Sequence, residues 1–324
     1  MIKIENLNVE YMTQRGPLRA VIDAGLEVGR GETLGIVGES GAGKTTLAMA
    51  LLRILPMNAR ITSGRVLIED KEVTAMSEDE LNRQVRWSLV SYVPQASQNA
   101  LDPIYRIGDQ FMETVRAHSD MGEKETLERA SELLRRVGVD PSKLSSYPWE
   151  LSGGQKQRIM IAMALILSPR VVILDEPTTA LDTLIQAQIL ELFRELKEFQ
   201  QLTAVFISHD ISVIANVSNR VAIMYAGRVV EVGDAQKIFF RPLHPYTQGL
   251  LRSIPDLRSS QPFSYVPGTP PDLMNPPSGC PFHPRCPIAI PVCRQLVPEL
   301  LSYEADHSVA CHVASSKTVK VSGE

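Results

Sequence analysis

Apolar and polar residues alternate from Ile2 to Tyr11, a two-residue period that suits a half-buried strand. A second strand is expected over about Arg19–Val28, with Met12–Leu18 as the loop between the two. Thr33–Val37 is a short, nearly continuous apolar run, and it leads through Gly38–Thr46 into an apolar-rich helix, Leu47–Leu55. Strands are expected again at Ser63–Ile68 and Ser88–Val93, and Ser77-Glu78-Asp79-Glu80 has the form of a capping box opening a short helix. Between 102 and 150 the strand signal disappears. Ile107–His118 and Glu123–Val137 carry helical periodicity, anchored by Leu127, Leu133 and Leu134, and predict a small helical insert. An apolar helix at Ile159–Leu167 and a buried parallel strand at Arg170–Leu174 follow. An amphipathic helix at Thr183–Gln200, a strand at Thr203–Ile207 and a hairpin of Arg220–Tyr225 with Arg228–Val232 complete this part. From Arg241 prolines recur, among them Pro242, Pro245, Pro255, Pro262, Pro267, Pro270 and Pro271. That composition predicts an extended wrap rather than a helical domain, with one short helix at Tyr246–Ile254.

Composition narrows the classes. The chain has 324 residues, 44% hydrophobic and 22% charged, with a net charge of −4, so no basic excess points to nucleic acid. Met1–Glu10 has no signal-peptide pattern, and Ile159–Leu167 falls far short of the ~20 residues that span a bilayer. A cytosolic protein is expected, with any membrane role exerted through a partner. All four cysteines lie late, at 280, 286, 293 and 311, and in a cytosolic chain such clustering favours metal ligation over disulfides.

The densest chemistry is Gly38-Glu39-Ser40-Gly41-Ala42-Gly43-Lys44-Thr45-Thr46. Strand, glycine-rich loop and helix occur in the order of a phosphate-binding P-loop. Backbone N–H groups turn inward to cradle phosphates, and a side chain at Gly41 or Gly43 is expected to crowd them. Lys44 supplies positive charge to the β- and γ-phosphates, and Thr45 offers a hydroxyl to Mg²⁺. Ser152-Gly153-Gly154-Gln155 opens the helix of Ile159–Leu167 and makes a second helix-end anion site. Asp175-Glu176 ends the apolar strand, where Asp175 can hold Mg²⁺ and Glu176 can polarise a water. Gln95 and His209 also stand at strand ends, within reach of Mg²⁺ or a γ-phosphate, although either alone is more often structural. Tyr11 can stack on a nucleotide base or be an ordinary strand-end tyrosine.

Taken together, Gly38–Thr46, Gln95, Leu151–Gln155, Asp175-Glu176, Ala180-Leu181-Asp182 and His209 resemble, in order and spacing, the ATPase subunit of an ABC transporter over about residues 1–240. The resemblance implies an α/β fold. It has a P-loop NTPase core, an antiparallel β subdomain, a helical subdomain inserted at about 102–150, and a Pro/Cys-rich extension over 241–324. It also implies ATP and Mg²⁺ as cofactors, Tyr11 in the adenine-stacking loop, Gln95 in a loop touching Mg²⁺ and the membrane subunit, and His209 as the switch histidine. Two such domains pair head to tail, with ATP between one P-loop and the other chain's Ser152–Gln155, and Asp182 crosses that interface. Glu176 is then the catalytic carboxylate.

His244-Pro245-Tyr246-Thr247, Pro267-Gly268 and Gly279-Cys280-Pro281-Phe282-His283-Pro284-Arg285-Cys286 resemble the oligopeptide/dipeptide importer branch of that family. The branch implies a [4Fe-4S] cluster on Cys280, Cys286, Cys293 and Cys311. The bare spacing matches no ferredoxin pattern and equally suits Zn²⁺, with His283, His307 and His312 as substitute ligands, or free thiols. It further implies a second, different ATPase subunit, two permeases and an extracytoplasmic substrate-binding protein, with this chain on the cytoplasmic face of the membrane. The transported substrate can be peptide, oligosaccharide or nickel. A soluble mechanochemical ATPase acting on DNA or ribosomes is the competing reading, but the chain shows no sustained heptads and only one P-loop.

Overall fold

The computed structural model describes residues 1–95, 99–179, 181–253 and 266–314, with the side chains of 198–200 excepted. Ala180, Pro255, Pro262 and the expected helix end at Ile254 fall outside the described residues. The chain forms two compact units: Met1–Val28, Thr33–Glu72 and Ser208–Glu324 make the first, and Gly29–Glu32 with Val73–Ile207 the second.

The first unit begins with β1 (Ile2–Thr13), β2 (Gly16–Val28), β3 (Thr33–Val37), α1 (Lys44–Leu51), β4 (Ala59–Ile68) and β5 (Lys71–Glu72). An antiparallel sheet runs in the order β2-β1-β4-β5. Its β1–β2 register continues through Tyr11↔Leu18, Met12↔Pro17 and Thr13↔Gly16. The segment expected as a loop, Met12–Leu18, is therefore mostly paired strand closed by a tight turn; Pro17 sits near the hairpin end and conceals the alternation that marks the rest of β1. β3 is buried at every position, as a strand covered on both faces must be.

The second unit carries α2 (Glu78–Gln84), β6 (Val90–Val93), α3 (Ile107–His118), α4 (Glu123–Arg136), α5 (Gly153–Ala164), β7 (Val171–Asp175), α6 (Thr183–Gln200) and β8 (Thr203–Ser208). β6, β7 and β8 pair in parallel, with Val93 beside Leu174 and Leu174 beside Phe206. The capping box expected at Ser77 is present: its hydroxyl accepts from the Glu80 N–H, and the Glu80 carboxylate accepts from the Ser77 N–H. The helical insert consists of α3 and α4 plus 3-10 turns at Pro141–Ser145 and Pro148–Glu150.

The chain then returns to the first unit through α7 (Ile211–Val217), β9 (Arg220–Tyr225), β10 (Arg228–Asp234), α8 (Ala235–Phe240), α9 (Pro245–Arg252), β11 (Leu301–Glu304) and β12 (His307–Val309). β9 lies parallel to β3 and antiparallel to β10. The tail expected as an extended wrap contributes more than a wrap. β12 adds to the edge of β10 in antiparallel register, Glu231 opposite Val309, and β11 adds to β12. The strands are only four and three residues long, so their sequence carries little periodicity.

A buried carboxylate ties this tail to the sheet. Glu231, on β10, is fully buried. It accepts from His307 Nε2 at 2.8 Å, from the Leu243 N–H at 2.7 Å and from the His244 N–H at 3.0 Å. Three donors meet the lone pairs that burial would otherwise leave unsatisfied. His244 is also buried and caps α9, its Nδ1 accepting from the Tyr246 N–H at 3.0 Å. Burial pushes its pKa down to about 4, with the Glu231 carboxylate opposing the shift. The unfolded chain holds the proton more tightly between pH 6.5 and 4, so stability is complete above pH 6.5 and is lost as pH falls toward 4. A pKa difference of this size corresponds to roughly 3 kcal/mol. His244→Asn puts a capping oxygen in place of the ring nitrogen and removes the titration, so the melting temperature from pH 7 to 4.5 is expected to fall less in the variant than in the native chain; parallel curves would refute this.

Candidate functional site

In the first unit, the loop after β3 is shaped as a phosphate cradle. Gly41 and Gly43 both take positive φ, at +78° and +99°. A Cβ on Gly41 would meet nothing within 4 Å, so Gly41 is required for its left-handed backbone. At Gly43 a Cβ would lie 2.2 Å from the Ala20 carbonyl oxygen, so the β2 backbone also excludes a side chain there. Lys44 is buried, its ammonium donating to the carbonyls of Gly38 at 2.8 Å and Glu39 at 3.1 Å. These neutral acceptors satisfy the charge, and a phosphate oxygen is a stronger one. Tyr11 stands beside α1, its hydroxyl 3.1 Å from that of Thr46. Ser40 is exposed, and Thr45 is the second residue of α1.

Glu39 is held from the other side by the cysteine-rich tail. Arg285 makes a two-pronged ion pair with its carboxylate, Nη1 to Oε2 at 2.8 Å and Nη2 to Oε1 at 2.9 Å. The carboxylate raises the guanidinium pKa further. Arg285 Nε donates to the Pro267 carbonyl at 2.7 Å, and Nη1 to the Tyr225 hydroxyl at 3.2 Å. The Tyr246 hydroxyl accepts from the Glu39 N–H at 3.0 Å. Phe282 packs edge-on against Tyr225 at 5.3 Å and tilted against Tyr246 at 5.4 Å. Sequence reading singled out the motifs containing Tyr246, Phe282 and Arg285 but gave them no contact, because these residues lie more than 200 positions from the loop they hold.

In the second unit, β7 ends in Asp175, fully buried, whose Oδ2 accepts from the Tyr92 hydroxyl at 3.0 Å. Tyr92 was not anticipated; its place two residues before Pro94 on the neighbouring strand was the available signal. Glu176 follows with φ of +48°, a left-handed conformation a glutamate rarely adopts. Its Oε2 accepts from Gln95 Nε2 at 3.1 Å and from the Thr179 hydroxyl at 3.0 Å. Gln95 and Glu176, 81 residues apart, are thus brought together. The Ser152 hydroxyl caps α5 by accepting from the Gln155 N–H at 3.3 Å, and Gln155 Oε1 accepts from the Ser152 N–H at 3.0 Å. Gly153 is the first residue of α5. A Cβ on Gly154 would approach Ile185 of α6 to 3.0 Å. Asp182 caps α6 through the Ile185 N–H at 2.9 Å, a local role the sequence reading did not give it. His209 follows β8 in the first unit and is exposed.

The four cysteines carry free thiols, three buried and Cys286 half-buried. Burial, with the neighbouring thiols adding to it, pushes Cys280 up to about 11, and burial likewise raises Cys286 and Cys311. Nearby backbone N–H groups oppose that shift at Cys280, Cys286 and Cys311 without overcoming it. Among the described residues no group of three or more His, Cys, Asp or Glu is gathered so that it could hold a metal ion, and the geometry as it stands does not carry the expected cluster or Zn²⁺. His307, entertained as a ligand, is committed to Glu231. His312 Nε2 lies 3.0 Å from the Leu296 carbonyl, and His283 Nδ1 3.0 Å from that of Cys280.

Comparison with known proteins gives the same picture. Residues 21–179 match the family described as ABC transporter, and residues 230–293 match the oligopeptide/dipeptide transporter C-terminal region. The dipeptide transport ATP-binding protein DppD of Caldanaerobacter subterraneus subsp. tengcongensis is 44% identical over 97% of both chains. The DppD of Bacillus subtilis is 42% identical over 96% of this chain and 94% of its own. Among solved structures, the ATP-binding cassette MJ0796, in a dimeric post-hydrolysis state with ADP and phosphate, superposes with a TM-score of 0.65 at 28% identity. It covers 72% of this chain and 99% of that one. The chain belongs to the ABC transporter family, as an ATP-binding, ATP-hydrolysing subunit of its oligopeptide/dipeptide branch.

Proposed function

We propose that this chain binds and hydrolyses ATP to drive uptake of peptides through separate membrane permeases. The likeness to dipeptide transport ATP-binding proteins over nearly the whole of both chains carries this reading. Residues 1–240 form the ATPase and 241–324 the branch-specific extension. Among the described residues no helix is long and apolar enough to cross a membrane, so coupling passes through protein partners at the cytoplasmic face. Those partners are two permeases, an extracytoplasmic binding protein and a second, different ATPase subunit.

In this reading Gly38, Ser40, Gly41, Gly43, Lys44, Thr45 and Thr46 hold the phosphates, and Tyr11 stacks on adenine. Lys44 exchanges the Gly38 and Glu39 carbonyls for phosphate oxygens. Thr45, Gln95 and Asp175 offer a hydroxyl, an amide and a carboxylate, the hard oxygen donors that suit Mg²⁺. When bound, that ion neutralises charge on the β- and γ-phosphates. Glu176 orients and deprotonates water, His209 meets the γ-phosphate, and Gln95, already bonded to Glu176, links this carboxylate to the permease side. Ser152, Gly153, Gly154 and Gln155 present α5's N-terminus to the nucleotide on the opposing subunit, and Asp182 lies on that interface. Losing the γ-phosphate removes the contact shared by the two halves and reopens them.

We also infer that Cys280, Cys286, Cys293 and Cys311 carry a [4Fe-4S] cluster. The match of residues 230–293 to the oligopeptide/dipeptide transporter C-terminal region supports this reading.

Replacing Glu176 by Gln is expected to leave ATP binding intact and lower turnover by about 10²–10⁴-fold. Normal turnover in a phosphate-release assay would remove Glu176 from the mechanism. Lys44→Ala is expected to weaken ATP binding at least tenfold by equilibrium titration, and unchanged affinity would displace the phosphate site. Anaerobically purified protein is expected to be brown, with about four irons per chain, and Cys286→Ser should lose most of that iron. A colourless protein containing zinc would overturn the cluster.

A further inference from the structure

The contact between the tail and Glu39 has no part in the roles above. Glu39 is the second residue of the phosphate loop, and each of its polar groups is held. Its N–H goes to Tyr246, its carbonyl receives Lys44, and its carboxylate is clasped by Arg285. The Arg285 side chain is 7% exposed and that of Glu39 24%, so the pair is largely withdrawn from water. An arginine fork on a carboxylate fixes orientation as well as charge, since both N–H···O bonds must be satisfied together.

Two consequences follow from charge and geometry. A loop that must accept a polyphosphate carries a carboxylate one residue from its first glycine. Left unpaired, that carboxylate repels the ligand in a partly buried setting, where screening by water is weak. The Gly38 and Glu39 carbonyls also lose a donor when Lys44 turns to phosphate, and the loop then depends on its remaining anchors. Within the loop the Ala42 N–H still donates to the Glu39 carbonyl at 3.1 Å, and from outside it Arg285 and Tyr246, both in the C-terminal region, hold Glu39.

We propose that Arg285 is a positioning residue for nucleotide binding: by neutralising and fixing Glu39 it holds the phosphate loop in its binding geometry, and the cysteine-rich tail thereby sets the affinity for ATP. The proposal rests on the reading of Gly38–Thr46 as the nucleotide site. It requires no role for the cysteines themselves.

The test uses the full-length chain, purified anaerobically, with a fluorescent ATP analogue for binding and phosphate release for turnover. Arg285→Met is expected to raise the dissociation constant and KM about tenfold while kcat at saturating ATP stays within about twofold. Glu39→Gln alone, which removes the repelling charge but loosens the fork, should raise the dissociation constant less than Arg285→Met does. The decisive variant is Glu39→Gln with Arg285→Met, in which the offending charge is gone. It should recover to within about threefold of native, because removing both partners of a buried pair costs less than stranding one. Arg285 also holds Pro267 and Tyr225, and a purely structural role in the tail predicts no such recovery. A double variant as weak as Arg285→Met would overturn the proposal. So would an unchanged KM in Arg285→Met. If Arg285→Met does not fold, Arg285→Lys, which keeps the charge and loses the fork, is expected to raise KM about threefold, and native KM there also counts against it. Lys44→Ala, run alongside, separates the two levels: if it binds ATP normally the nucleotide-site reading fails, whereas loss of binding there with no effect at Arg285 sinks this inference alone.

Discussion

The arrangement of the phosphate loop depends on how Glu39 is held. A P-loop is a stretch of backbone that turns polar groups toward a ligand and so cannot satisfy them within itself. In this chain Tyr246 and Arg285 fix the second residue of that loop from outside, while Gly43 lets it lie against the Ala20 carbonyl. The rest of the first unit can be understood as support for these contacts. β3 delivers the loop, β9 brings Tyr225 alongside, and the aromatic stack of Tyr225, Tyr246 and Phe282 keeps the Arg285 fork in place.

The second unit solves a different problem, that of holding the carboxylate proposed above as the base. Glu176 adopts a backbone conformation that costs energy for any residue but glycine, and Gln95, Thr179 and the Ile207 carbonyl together hold it there. Asp175, one residue earlier, is buried and oriented by Tyr92. Two adjacent acids thus receive distinct surroundings, one enclosed and the other on a strained turn, which suits a division between ligation and proton transfer.

Local rules made much of this legible in the sequence. The capping box at Ser77, the helix start at Ser152, the span of α3, and the strand-loop-helix order around Lys44 each follow from spacings of a few residues. What escaped was set by distant partners or by concealed periodicity. The strands β11 and β12 are only four and three residues long and owe their existence to the free edge of β10. Glu231 reads as a surface residue on a polar-apolar strand, yet His307, Leu243 and His244 surround it. Gly43 reads as a residue kept small for a ligand, and the β2 backbone, distant in sequence, is a further reason that the sequence does not show. Arg285 was read as part of a cysteine motif, and nothing local announces its pairing with Glu39.

That pairing joins positions 246 residues apart, and the unit containing both is built from the two ends of the chain with the second unit between them. During synthesis the phosphate loop emerges early, but its Arg285 clasp becomes available only when the tail has left the ribosome. A nascent or truncated chain therefore displays the loop without its brace, so completion of translation is itself a checkpoint on assembly of the nucleotide pocket.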